Sequence, residues 1–289
     1  MNAGLKLGAY GLALVAVLGL GAAVGTAAGP IDVGGNAGHD SDADGMDDTT
    51  NETTELPAGG LLVAQDGYHF VPENRLADAG EFGFTIVGPD GHPVTGYDEL
   101  HDRELHLIVA SRDLREFAHL HPTRDAGGRW TVDLPAFPAG AYRAFADFEP
   151  TDAEQYTLGV DLIVPGTTHA MEPLHAKTID SVGGFELTLD REGSEVTITV
   201  RRHGEVITTE PYLGAAGHLV ALRDGDLAYL HVHPLDEQPA GPVRFAVEVP
   251  SAGRYALFFD FQVDGVVHTA RFVLDVTAST GSAHSDGDH

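Results

Sequence analysis

Cysteine is absent from all 289 residues, and the only lysines are Lys6 and Lys177. Without thiols the chain has no disulfide, thiolate zinc site, iron–sulfur cluster or lipidated N-terminal cysteine. Any transition-metal site must therefore use histidine, carboxylate, methionine or backbone groups. Positive charge is scarce as well: 16 Lys and Arg face 44 Asp and Glu, a formal net charge of −28. So acidic a surface repels nucleic acid and anionic lipid, and repels itself until salt screens it. Acidic residues in place of lysine resemble the composition of halophilic proteins, and the charge is read as solubility in brine. Helical periodicity is missing after the N-terminal run. Also missing are a serine–histidine–acid elbow, a phosphate loop and a distinct pair of catalytic carboxylates, so the chain is not expected to be an enzyme.

Leu7 to Ala28 form an apolar, glycine-rich run behind a single positive charge at Lys6. Its 22 residues can cross a bilayer as a helix, and the small residues at Gly25-Thr26-Ala27-Ala28 equally suit signal-peptide cleavage. Either reading of residues 1–28 exports the remainder. It is then anchored at the cell membrane facing outward, or secreted if the segment is cleaved. Residues 29–60, rich in Gly, Asp, Thr and Asn, read as a flexible acidic linker. Within them Asp40, Asp42, Asp44 and Gly45 resemble the opening of a calcium loop. Asn51 stands where the bidentate glutamate belongs, so a solvated linker is expected. Two similar units follow, 61–165 and 181–277, joined by a connector over 166–180 and trailed by a polar tail, 278–289.

The similarity is a duplication: "HLIVASRDLREFAHLHP" answers "HLVALRDGDLAYLHVHP", and "PAGAYRAFADF" answers "SAGRYALFFDF". Each unit contains about seven short segments rich in β-branched and aromatic residues, separated by Gly, Pro and Asp. The expected fold is all-β, two tandem immunoglobulin-like β-sandwich domains without the cysteine pair of antibodies. Trp130 and Phe245 hold equivalent places, as do Tyr142 and Tyr255, and read as core and corner residues.

Three histidines keep their spacing in both copies. His106, His119 and His121 recur as His218, His231 and His233, and Pro122 and Pro234 follow the two clusters. Folded as a hairpin turning at Asp113-Leu114, the first copy sets His106 opposite His121. In the second, a turn at Gly225-Asp226 sets His218 opposite His233, and one at Asp224-Gly225 sets it opposite His231. Either register leaves all three imidazoles of a copy on one face, because side chains alternate with period two. Three such rings can reach one ion at about 2.0–2.1 Å. Asp147 and Asp260, equivalent and flanked by aromatics, are candidates to orient these ligands through a histidine N–H, with an arginine partner as the alternative. His268 matches Gln155 and cannot serve both copies; Asp125 and Glu237 follow the clusters by four residues. His169, Met171 and His175 of the connector could make a softer, copper-like site or be ordinary linker residues.

The pattern "HLIV…DL…F.HLHP" followed by "aG.Yr.f.dF" resembles a little-characterised group of exported prokaryotic proteins that carry a heavy-metal-binding label. The resemblance covers most of 65–165 and 181–277 and implies an exported β-sandwich concerned with metal. The expected cofactor is a divalent transition metal, with copper preferred over zinc by the Irving–Williams order. The expected partners are that ion, the membrane through the N-terminal helix, a membrane metal transporter, and no nucleic acid. Two other readings stay open. One is a surface interaction module whose histidines are structural. The other is a cupin-like metalloenzyme using the H-x-H-x3-E of His231, His233 and Glu237; Tyr142 and Tyr255 stand where its fourth ligand histidine would be needed.

Overall fold

The computed structural model describes residues 58–77, 79–168, 170–230, 232–235, 241–247 and 251–277. The apolar run from Leu7, the aspartate-rich loop around Asp44, His169, His231, Glu237 and the tail lie outside these, as does the side chain of His233. Among the described residues no helix is long and apolar enough to cross a membrane. Both repeats belong to one compact unit, Glu55–His289.

The first repeat supplies β1 (Ala64–Gln65), β2 (Tyr68–Pro72), β3 (Gly80–Val87), β4 (Tyr97–Asp98), β5 (Leu105–Ser111), β6 (Phe117–Leu120), β7 (Thr123–Arg124), β8 (Arg129–Leu134), β9 (Gly140–Pro150) and β10 (Tyr156–Val164). The second supplies β11 (Ile179–Val182), β12 (Phe185–Glu192), β13 (Glu195–Arg202), β14 (Glu205–Val206), β15 (His218–Arg223), β16 (Tyr229–Leu230), β17 (His233–Pro234), β18 (Val243–Ala246), β19 (Gly253–Val263) and β20 (Val266–Val276). The sheets run β1-β2-β3-β8-β7 and β10-β9-β5-β6 in the first domain, and β11-β12-β13-β18-β17 and β16-β15-β19-β20 in the second. All strand pairs are antiparallel, and the order is the Greek-key arrangement of an immunoglobulin-like sandwich in both copies. Tyr142 and Tyr255 turn its corners: each hydroxyl donates to a carbonyl four residues upstream, Pro138 O at 2.8 Å and Ser251 O at 2.9 Å. Trp130 and Phe245 are buried on the equivalent strands β8 and β18.

The site is positioned by strands that bury both faces. All seven residues of β5 are buried. Leu105, Leu107 and Val109 face the first domain's own core, while Ile108 and Ala110 join a separate apolar cluster with Val220, Leu222, Ala256 and Phe258 of the second domain. Strands β9, β15 and β19 alternate in the same way, so the two domains dock sheet against sheet. Phe117 stacks on Phe258 with centroids 4.0 Å apart, and Tyr229 meets Phe145 at 5.7 Å. Phe117 and Tyr229 are equivalent in the duplication, as are Phe258 and Phe145, so the seam repeats one contact with the domains exchanged.

A short segment closes the seam. Tyr229 N–H donates to Gly59 O at 2.9 Å, Gly60 N–H to Thr157 O at 2.8 Å, and Gly159 N–H to Leu62 O at 2.8 Å. The buried Arg143 holds the carbonyls of Gly60, Leu61 and Gly159. Gly60, at φ +75°, has no room for a side chain: a Cβ there would stand 2.4 Å from the Phe145 ring. Removing one corner hydroxyl, Tyr142→Phe or Tyr255→Phe, is expected to cost about 1 kcal/mol of unfolding free energy in urea. The double variant should lose the sum, since the two corners lie in different domains.

Candidate metal centre

The first hairpin has the expected register. Leu107 pairs Leu120 and Ile108 pairs His119, which, continued outward, sets His106 opposite His121. Period-two alternation then puts the three rings on the face that meets the second domain. His106 and His119 have ring centroids 5.1 Å apart, His106 and His121 5.1 Å, and His119 and His121 4.9 Å. One nitrogen from each lies within 4.8 Å of the others.

Hydrogen bonds decide which nitrogens face one another. His106 Nε2–H donates to Leu100 O at 2.8 Å, leaving Nδ1 bare, 2.9 Å from His119 Nε2. His119 Nδ1–H donates to Asp260 Oδ2 at 2.8 Å, and Thr269 Oγ1 donates to Asp260 Oδ1 at 2.5 Å. With these two N–H groups committed outward, His106 Nδ1 and His119 Nε2 are the nitrogens turned toward one another. His121 Nε2 is buried and has no hydrogen-bond partner among the described residues. Burial, followed by the nearby His119 charge, lowers the pKa of His106 to about 4 and of His121 to about 3.

The second repeat enters the same cluster. His218 Nε2–H donates to Tyr212 O at 2.9 Å, reproducing the bond of His106 to the carbonyl six residues before it. Its ring centroid is 6.4 Å from that of His106 and 6.2 Å from that of His119, and burial lowers its pKa to about 4. A cavity of about 30 Å³ lies between the domains, lined by His101, His106, His119, His218, Asp147 and Tyr229 among others.

The second hairpin departs from expectation. Ala221 pairs Leu230 and Leu222 pairs Tyr229, the register that would bring His218 opposite His233. His233 instead pairs Ala246 in the opposite sheet, so its backbone has left the hairpin. Among the described residues the β15–β16 ladder has two pairs, and the chain joins the opposite sheet at His233, where the first repeat does so at Thr123.

Asp260 meets a histidine as expected, but one from the other repeat. Asp147 Oδ1 accepts from Gln155 Nε2 at 2.9 Å and Thr157 Oγ1 at 3.0 Å, and Oδ2 from Tyr229 at 3.4 Å. Asp125 caps its own turn through Gly127 N–H and Arg129 N–H. His268 packs on Phe185 and Phe261, while Met171 and His175 are exposed. Sequence reasoning did not find His101, Thr157, Thr269, Tyr229 or the Leu100 and Tyr212 carbonyls. The last two were findable, since both precede their histidine by six residues.

A domain of unknown function, DUF8832, matches residues 64–165 and again 181–278. The chain belongs to the DUF8832 family. Both matched segments are the sandwiches described above, so one DUF8832 unit is one domain. No curated protein matches the chain. Among solved structures, a two-domain fibronectin type III segment of chicken tenascin is 7% identical. The match covers 72% of this chain and 97% of that one, with a TM-score of 0.23. A titin segment, A168169, is 11% identical over 73% and 98%, with a TM-score of 0.20. The strand order, rather than these likenesses, defines the DUF8832 sandwich.

The lowered values of His106 and His218 give a sign for acid sensitivity. Groups whose folded pKa lies below the unfolded value of about 6.5 bind more protons when unfolded, so stability is full above that value and falls as pH approaches 4. Between about pH 7 and about pH 5 the loss should be on the order of 2 kcal/mol for each buried histidine. Urea unfolding of metal-free protein at both pH values measures it, and a flat profile would contradict the burial argument.

Proposed function

We propose that this chain is an exported metal-binding protein, tethered to the membrane or secreted, in which the first repeat holds a divalent transition ion on three imidazoles. One observation carries the reading: His121 Nε2 is a buried nitrogen without a hydrogen-bond partner among the described residues, on a ring that offers one nitrogen within 4.8 Å of a nitrogen of His106 and one of His119. An unpaired buried acceptor is costly, and an ion would satisfy it. The remaining geometry fits. His106 and His119 each commit their other N–H, one to a carbonyl and one to a carboxylate, as ligating histidines do. Three nitrogens at about 2.0–2.1 Å from a common ion stand roughly 3.3 Å from one another in a tetrahedral set. The 2.9 Å gap between His106 and His119 must therefore open by a few tenths of an ångström.

His106, His119 and His121 would be the ligands, with Asp260 orienting His119. The second trio, His218, His231 and His233, stays part of the proposal on the strength of the duplication, with Asp147 as its carboxylate. An all-nitrogen donor set favours Cu(II) over Zn(II). The apolar run from Leu7 to Ala28 supports export and a membrane tether, and an exported metal carrier of this kind suits service to a membrane metal transporter. The reading is one of binding and handling rather than turnover. A structural histidine network joining two interaction domains competes with it, favoured by the complete hydrogen bonding of His106 and His119. That reading leaves His121 Nε2 unexplained.

Metal analysis of protein loaded with copper or zinc and then dialysed decides between them. Wild type should retain stoichiometric ion, and His119→Ala with His121→Ala should lose one equivalent. Undiminished metal in that double variant would remove the first trio from the site.

A further inference from the structure

We infer that the first repeat's metal centre is completed by the second repeat, so that binding the ion and docking the two domains are one linked equilibrium. This rests on the metal reading above and adds to it a second partner, the neighbouring domain.

All three proposed ligands come from one hairpin and the residue after it, yet the group that orients the middle ligand does not. Asp260 lies on β19 of the second domain, and its contact with His119 is buried on both sides, with side-chain exposures of 3% and 6%. The carboxylate is itself fixed by Thr269, its partner on β20. Two residues before His119, Phe117 stacks on Phe258, and Phe258 stands two residues before Asp260. The strand carrying the ligand and the strand carrying the carboxylate thus touch through an apolar and a polar contact at matched spacing. Separating them loses both.

Undocking would have a chemical consequence as well as an apolar one. Free of Asp260, the His119 ring could carry its neutral-state proton on either nitrogen, and only one tautomer presents Nε2 to an ion. His218, packed beside His106 and His119, would also leave, and water would enter around the ligands. Losing an outer carboxylate of this kind typically weakens metal affinity 10–100-fold. Linkage makes the effect reciprocal: whatever factor docking adds to ion affinity, the ion adds to docking.

The test uses the full chain with Zn(II) alone, its affinity read by competition with a chelator. Asp260→Asn, which keeps every ligand, should bind roughly 10–100-fold more weakly. Phe258→Leu, which alters no polar group, should also bind several-fold more weakly. Phe82→Leu, in the first domain's own core, is the control for general destabilisation and should bind as wild type does. Hydrogen exchange on unmodified protein supplies a readout that needs no variant: zinc should slow exchange of the seam amides around Val220–Leu222 and Ala256–Phe258. Wild-type affinity in both Asp260→Asn and Phe258→Leu overturns the linkage while leaving the metal reading standing. So does unchanged seam exchange in zinc-loaded wild type. No zinc uptake by wild type would bring down the metal reading and the linkage together.

Discussion

Strands β5, β9, β15 and β19 are covered on both sides, so any polar side chain on their outer faces must find its partner inside the protein. The cost of leaving one unpaired in such a place is about 1–3 kcal/mol, and more for a charge. Most of the docking faces meet the requirement by being apolar: Ile108, Ala110, Val220, Leu222 and Ala256 offer nothing to satisfy. At one end of the seam the same faces carry His106, His119, His218, Asp147 and Asp260, and there hydrogen bonding does the work. Imidazole suits that end because one nitrogen can be committed as a donor while the other keeps a lone pair.

The duplication explains how the histidine end is organised. His106 and His218 are equivalent, are each bonded to the carbonyl six residues back, and meet across the seam. Phe117 with Phe258 and Tyr229 with Phe145 repeat the same exchange. The copies are not identical, however. Thr157 and Thr269 face Asp147 and Asp260 across the same hairpin, but Gln155 also binds Asp147, where the second copy has His268 turned onto Phe185 and Phe261. Two carboxylates that began as one have acquired different surroundings.

Much of this was legible in the residues. Alternation in "HLIVAS" and "HLVALR" gave the strands, the repeat gave two domains, and an even-length turn gave the hairpin register with all three imidazoles of the first copy on one face. The Tyr142 and Tyr255 corners followed from their place in a sandwich. What stayed hidden was the meeting of the two copies. Sequence periodicity reports that a face is apolar, not whether it is covered by its own domain or by another. The sequence therefore left open whether the two trios act separately or share a site, and the pairing of His119 with Asp260, 141 positions away, had no local signal. The early crossing at His233 was hidden for a different reason: how long a hairpin continues depends on the opposite sheet's claim on the same residues.

The acidic composition bears on the proposed centre through selectivity. A net charge of −28 attracts cations of every kind to the surface and accelerates their arrival when salt is low. Attraction of that sort does not distinguish among ions, and exposed carboxylates, being oxygen donors, suit calcium and magnesium best. Discrimination must therefore come from groups to which those ions are indifferent. Buried imidazoles are such groups: they offer nitrogen in a setting where hydrated hard ions lose more solvation than they regain, whereas copper and zinc gain strong bonds. The contrast between an oxygen-rich exterior and a nitrogen-lined seam is what would let a chain surrounded by abundant divalent cations select a scarce one.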